Sequence, residues 1–410
     1  MRHSLNITLL LTSCLLVSPL IAGGPPVIGS ISLKRETFNP KAGDAVDLAV
    51  RRVPTATAAG RPIRSVNVDR QSLNVAAAEG ATVRIDFGQA GRASVVIVDR
   101  DGYPVRALLG AQPASGSVTL HWDGRDDSGR FVADEAYSLK IDWRGPEGTD
   151  TYFPANEPAA MSAIEARSYD RRTATLVYSL PRASRVHIQA GTAAVDPKTK
   201  KPVGPVMKTL VNREPRVSGT IAEHWNGYDE SASIFVPDLK DFVVAIAATP
   251  LPENSIVTFG NRQRRFVDTL SLRQGPSLFT DRRHQTHHTG LSTPDDVSPA
   301  LVIEPLNAAW SATERAWIMN GTRALRLRLR VEGPTAGAFR RHPATVELFV
   351  NGQRIGSPSR KTSDVVEIPL HPGGNLSRVS INWNSDWGPV AANTIQVRVD
   401  GPAPAAGGGK

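Results

Sequence analysis

The sequence has 410 residues, a formal net charge of +9 and one cysteine. At roughly 100–150 residues per domain, this length predicts about three modules and argues against one large domain. The single cysteine excludes a disulfide-based scaffold. Because the basic residues are spread along the chain, we predict no nucleic-acid partner and at most contact with anionic envelope polymers.

Residues 1–23 have the pattern of a cleavable signal peptide. Arg2 precedes an almost uncharged apolar run at 7–22, and small residues follow at Ala22 and Gly23. The run is shorter than the roughly 20 uninterrupted apolar residues that a membrane span needs. We therefore expect an exported protein, periplasmic, extracellular or at the cell surface, without a transmembrane segment after signal cleavage.

Cys14 allows a second interpretation of this segment. The sequence Leu-Thr-Ser-Cys that ends at Cys14 resembles the lipobox of bacterial lipoproteins, whose cysteine is acylated. The residues after Cys14 are apolar, whereas a lipoprotein usually continues into a polar tether. This difference favours a cysteine inside the signal core.

Alternation of apolar and polar residues dominates the rest of the chain. We find no long stretch with the 3 and 4 spacing of a helix, and 34 glycines and 31 prolines punctuate the sequence. The pattern predicts an all-β fold of tandem immunoglobulin-like or fibronectin-III-like β-sandwich modules behind a signal peptide.

An internal repeat organises the first half of the chain. One copy opens at 81–87 and another at 174–180, and each leads to a Trp-(Asp/Asn)-Gly-x-Asp signature. The second copy carries roughly ten extra residues, which we place in a loop around 198–202. The signature residues are Trp122, Asp123, Gly124 and Asp126 in the first copy and Trp225, Asn226, Gly227 and Asp229 in the second.

The chemistry of the signature is that of a folding device. A tryptophan at a strand end buries a large apolar surface. The Asp-Gly or Asn-Gly that follows accepts positive φ, and the next aspartate can accept backbone N–H bonds across the turn.

With these residues, the first copy resembles the immunoglobulin-like domain of the flagellar hook-capping protein FlgD, a module that many bacterial exported and surface proteins contain. The resemblance implies two tandem FlgD-type modules, at 79–150 and 165–275, behind N-terminal lead-in strands at 24–78. The second module departs from the pattern because no glycine follows Asp229 to close its turn. Hook-capping proteins carry no cleavable signal, so we expect a borrowed module and not a hook cap.

A polar linker is predicted at 276–298. Its histidines His284, His287 and His288 could together hold Zn²⁺ or Cu²⁺, since imidazoles at this spacing can converge on one ion. Two adjacent arginines and the lack of a rigid support favour a solvated linker. We therefore predict no cofactor.

A third, generic Ig-like module is predicted at 299–402, followed by a disordered tail at 403–410. Asn351-Gly352 predicts a tight type I′ hairpin. Two features could bind a ligand. The arginines on one face of strand 325–331 could meet an anionic polymer, and a pair of tryptophans could stack on sugar rings, although a solvated strand face and a core tryptophan are the alternatives. The candidate residues are Arg326, Arg328, Arg330, Trp383 and Trp387.

Together these patterns predict a non-enzymatic envelope or extracellular scaffold or adaptor that binds a protein partner through its Ig-like modules. The sequence has no Gly-x-Ser-x-Gly elbow, no phosphate-binding loop and no His-Glu-x-x-His motif. Two alternatives stay open. One is a carbohydrate- or polyanion-binding cell-surface protein, and the other is an accessory component of a secretion or surface-appendage assembly system.

Overall fold

The computed structural model describes residues 28–33, 48–52, 60–157, 159–261, 263–280, 299–321, 324–333, 336–341, 343–360, 364–370, 375–385 and 390–401. The predicted signal peptide, Cys14, the histidine cluster and the C-terminal tail lie outside these residues. The chain divides into two units, Met1–Arg61 and Pro62–Lys410. In the first unit, β1 (Ile28–Leu33) and β2 (Leu48–Arg52) form an antiparallel pair.

The second unit begins with a sandwich built on two long antiparallel strands, β5 (Ala81–Val98) and β6 (Pro104–Trp122). β3 (Ile63–Val68) pairs with the first half of β5, and β7 (Ala136–Gly145) pairs with its second half. The sheet also contains β4 (Ser72–Asn74), β8 (Gly148–Tyr152) and β16 (Ile256–Phe259). The strand order is β3-β5-β7-β16-β4, and in addition β6 pairs with β5 and β8 pairs with β7. The core of this first module contains Ile85, Ile97, Trp122, Leu139, Ile141 and Trp143.

The boundaries of the first module differ from those predicted. β3 and β4 belong to its sheet, so the module begins before residue 79. β16 lies beyond the second module in sequence but pairs parallel to β4 and antiparallel to β7. The predicted end of the second module at 275 is therefore too late. β16 has only four residues, and its partners are distant in sequence, so local alternation could not assign it to a module.

The second module consists of two facing sheets. Its strands are β9 (Ser162–Ile164), β10 (Ala166–Asp170), β11 (Thr175–Leu180), β12 (Ser184–Thr192), β13 (Val206–Arg216), β14 (Gly219–His224) and β15 (Phe242–Pro250). They form the sheets β10-β11-β14 and β13-β12-β15-β9. Leu176, Tyr178 and Ile188 are fully buried in its core. The predicted extra loop lies between β12 and β13.

The third module packs a three-stranded sheet on a six-stranded one. The small sheet contains β17 (Ala300–Pro305), β20 (Ala324–Glu332) and β23 (Val365–Pro369). The large sheet runs β18 (Ala309–Ser311), β19 (Ala316–Asn320), β25 (Val390–Asp400), β24 (Leu376–Ser385), β21 (Ala344–Val350) and β22 (Gln353–Arg360). A short helix, α1 (Ala336–Arg341), follows β20.

The predicted type I′ hairpin is confirmed, since Asn351 has φ 51° and Gly352 has φ 88°. Single 3-10 segments lie at Val75–Ala77, Pro154–Asn156, Val236–Asp238 and Phe266–Leu272. The chain is thus all-β and composed of tandem immunoglobulin-like or fibronectin-III-like sandwiches. Within the described residues, no helix combines the length and apolar character that a membrane crossing requires.

Candidate functional site

The first signature turn is held together by its own side chains. The indole of Trp122 is buried and donates from Nε1 to the Arg125 carbonyl at 3.0 Å. Gly124 has φ 71°, which a side chain would make costly. Asp126 accepts the backbone N–H groups of Ser128 and Arg130, each at 3.0 Å. The side chains of the signature therefore hold the turn in place through hydrogen bonds to its backbone.

The second signature repeats this geometry in spite of its altered sequence. Trp225 donates from Nε1 to the Tyr228 carbonyl at 2.9 Å, and Asp229 accepts the N–H of Ile234 at 3.0 Å. Ala232 occupies the place of Gly129 in the first turn and adopts φ 55°, against 78° for the glycine. The second turn therefore closes without glycine, at the cost of a left-handed alanine.

Exchanging these two residues should shift stability in opposite directions. Both residues are exposed, and no atom lies within 4 Å of a Cβ built on Gly129. We expect Gly129→Ala to lower the free energy of unfolding by about 1 kcal/mol and Ala232→Gly to raise it by about 0.5 kcal/mol, because only glycine adopts positive φ without steric cost. Urea unfolding of both variants measures these changes. A change of the same sign in the two variants would contradict the prediction.

A cleft of 220 Å³ lies beside the first signature turn, under the segment 264–274. Arg264 donates to Asp126 at 3.0 Å, and Arg273 donates from Nε to Asp99 at 2.9 Å. Burial raises the pKa of Asp99 to about 6, although the Arg273 cation opposes this shift. These ion pairs fasten the segment to the first module. Among the described residues, no three His, Cys, Asp or Glu side chains are grouped to hold a metal.

A buried ion triad joins the first module to the second. Glu135, which is 1% exposed, accepts from Arg100 of its own module at 3.0 Å and from Arg185 on β12 at 2.7 Å. Burial alone would raise the pKa of Glu135, but the Arg185 and Arg100 guanidinium groups hold it below its usual value. The carboxylate is therefore charged at neutral pH and bridges the two modules.

A second buried contact joins the second module to the third. The Val206 N–H donates to Asn382 Oδ1 at 2.8 Å, and Asn382 Nδ2 donates back to the Val206 carbonyl at 2.7 Å. Val206 also packs against Val390 and Ala392. Because the loop 193–205 leads directly into Val206, the insertion that distinguishes the second copy lies at the junction with the third module.

The predicted arginine stripe on β20 is balanced by glutamates. Arg326 lies 3.3 Å from Glu367 on β23, and Arg328 lies 3.3 Å from Glu304 on β17. Each pair is directly opposite in the strand register. Arg330 lies 3.9 Å from Glu332. Each arginine of the stripe thus has a glutamate neighbour, and this strand face carries both signs of charge.

Of the two tryptophans predicted as a sugar platform, Trp383 is the one that the structure describes. Trp383 is only 4% exposed and packs edge-to-face on Phe339, so its ring is part of the core and is not available to a sugar. Trp387 lies outside the described residues. Sequence analysis missed Trp310, which is 54% exposed and lies edge-to-face with Trp317 at 5.5 Å. β18, which carries it, is too short for alternation to reveal.

The strand β6 lies at an edge of the first module's sheet. Residues 117–121, which we name the β6 edge, pair in unbroken register with 82–86 of β5. Within the described residues, β6 pairs with no other strand. Its outward N–H and C=O groups therefore offer a template for another strand.

The family model of the FlgD Ig-like domain matches residues 72–145, which include the first signature and the β6 edge. The first module is thus an Ig-like domain of the FlgD type. No curated protein matches the chain.

Several solved structures have weak similarity to the chain. The fibronectin(III)-like modules of Clostridium thermocellum CbhA are 9% identical, over 82% of this chain and 95% of that one, with a TM-score of 0.19. A bacterial ice-binding adhesin is 11% identical, over 83% and 99% of the two chains, with a TM-score of 0.17. E. coli alpha-2-macroglobulin is 9% identical, over 81% and 24%, with a TM-score of 0.20. Such TM-scores do not establish a shared architecture, and the fold rests on the sheet topology.

Proposed function

We propose that this protein is a non-enzymatic, exported scaffold or adaptor that binds a protein partner in the envelope or outside the cell. The observation that carries the proposal is the pair of buried junctions. The Glu135–Arg185 ion pair and the Val206–Asn382 hydrogen bonds join three Ig-like modules in series. A chain whose modules are joined by such contacts presents several surfaces in series, which suits a scaffold. The pattern of residues 1–23 supports export.

The charged groups of the cleft support a structural role over a catalytic one. Asp126 caps its own turn and accepts from Arg264, and Asp99 accepts from Arg273 and from the backbone N–H of Tyr103. Because these carboxylates are engaged in holding loops, they are poorly placed to exchange protons with a substrate.

Retention from envelope extracts tests the proposal. The chain from Gly24, immobilised and exposed to detergent-solubilised envelope at low and high salt, should retain a defined protein in both conditions. If the retained protein is a subunit of a secretion system or surface appendage, this chain has the narrower role of an accessory component in its assembly. Retention of anionic polymer alone, lost at high salt, would contradict the adaptor proposal.

A second candidate function, glycan binding, is favoured by the exposed indole of Trp310. Its ring could stack on a sugar beside Trp317. Trp310→Ala should then lower retention of the protein on envelope polysaccharide at least tenfold, and Leu376→Ala, which removes a 45% exposed apolar side chain elsewhere in the module, should not. Equal retention by both variants would exclude this candidate.

A further inference from the structure

Exposed edge strands invite unwanted pairing, and proteins usually block them with charges, proline, bulges or covering groups. The β6 edge has the sequence Ser-Val-Thr-Leu-His, with no Lys, Arg, Asp, Glu or Pro. Across the described part of 60–401, no edge strand other than β6 has five consecutive residues free of these five types. The β6 edge thus lacks the charges and prolines that interrupt the other described edge strands of five or more residues.

Two comparable edges are covered by side chains from elsewhere. On β3, Asn254 Nδ2 donates to the Val66 carbonyl at 3.0 Å. On β17, Asn393 Nδ2 donates to the Leu301 carbonyl at 2.6 Å. Each amide occupies an acceptor that a further strand would use.

The internal repeat supplies a direct comparison. In the second module, β14 pairs with β11 as the end of β6 pairs with the start of β5, and the two strands align on Trp122 and Trp225. Glu223 then takes the place of Leu120. Its side chain is only 16% exposed, and its carboxylate accepts from the Tyr178 hydroxyl at 3.0 Å and pairs with Arg216 at 2.7 Å.

An inward-pointing charge on an edge strand is a known means of blocking strand addition, because the added strand would have to cover it. The second module has this charge, and the first has an apolar Leu120 that packs on the core. The same position in two copies of one module therefore distinguishes a blocked edge from an open one.

We propose that the β6 edge binds an extended segment of a partner protein, which adds to the first module as a further strand. The inference deepens the proposed scaffold function and rests on it. Val118 and Leu120 pack on the core, whereas Ser117, Thr119 and His121 are exposed. A strand beside them would continue the inner layer, so the partner segment should carry an apolar residue at every second position.

The test uses the full chain, a phage-displayed library of linear peptides and two matched variants. Thr119→Lys places a charge on the β6 edge, and Ala222→Lys places the same charge at the equivalent exposed position of β14. Selected peptides should show apolar residues at alternate positions. They should bind wild type and Ala222→Lys alike and bind Thr119→Lys at least tenfold more weakly. Hydrogen exchange should slow in the backbone N–H groups of 117–121.

Other outcomes overturn the inference in distinguishable ways. Failure to enrich any peptide, or binding that Thr119→Lys leaves unchanged, would remove the β6 edge as the docking surface. A protein retained from envelope extract by Thr119→Lys as well as by wild type would show that the scaffold function holds while its surface lies elsewhere. A concentration-dependent dimer that Thr119→Lys dissociates would assign the edge to a second copy of this chain.

Discussion

Replacing Glu135 by glutamine should lower the free energy of unfolding of the first two modules by about 3–5 kcal/mol. The side chains of Arg100, Glu135 and Arg185 are all at most 5% exposed, so the substitution removes a buried negative charge that lies between two buried guanidinium groups. The urea midpoint of Glu135→Gln, followed by tryptophan fluorescence, measures this change.

A matched control isolates burial as the cause. Glu367→Gln removes the same charge from a pair with Arg326 at 3.3 Å, where both side chains are more than half exposed. Water already screens that pair, so its loss should change the free energy of unfolding by less than about 0.5 kcal/mol. Equal effects of the two substitutions would refute the idea that the triad carries the junction.

Acid should weaken the second module through His187. Burial, together with the nearby Arg213 and Lys201 cations, lowers the pKa of His187 to about 3 from its ordinary 6.5. The folded protein keeps this imidazole neutral, whereas the unfolded chain takes up a proton as the pH falls below 6.5. The stabilisation is therefore complete above pH 6.5 and declines toward pH 3. Between pH 7 and pH 5 it should fall by about 2 kcal/mol.

Comparison with His187→Gln separates this contribution from others. Burial raises the pKa of Asp99 to about 6, and that group contributes in the opposite sense as the pH falls through this range. The difference in unfolding free energy between wild type and His187→Gln cancels the Asp99 contribution and should shrink as the pH falls. A difference that stays constant from pH 7 to pH 5 would contradict the assignment.

Protonation of His187 should also affect the contact between the second and third modules. Burial and the Arg213 cation lower the pKa of Lys201, whereas Glu347 of the third module raises it. Protonated His187 would add a third cation close to one carboxylate. We therefore expect acid to loosen the loop 193–205 and its contact with the third module first.

Features that depend on short stretches of chain could be predicted from the sequence. The leucine–arginine alternation defined β20, and Asn351-Gly352 defined the hairpin that follows β21. The repeat of the tryptophan signature identified two related modules. Each of these depends on the local stereochemistry of strands and turns, which neighbouring residues determine.

Features that depend on distant contacts could not be predicted in this way. Nothing around Glu135 indicates that Arg185 will neutralise it across a module boundary. Trp383 is buried against Phe339 of α1, whereas Trp310 is half exposed, and no local pattern encodes that difference. The difference between the two edge strands could have been predicted, since aligning the two copies places Leu120 opposite Glu223.

Site-specific photocrosslinking in the living source organism tests the central claim, a protein partner held at the first module, most directly. A photoreactive residue at position 119 should yield one defined protein adduct, and the same residue at position 222 should not, because the inward-pointing Glu223 lies on the edge that carries position 222. No protein adduct at position 119, or the same adduct at both positions, would contradict the account.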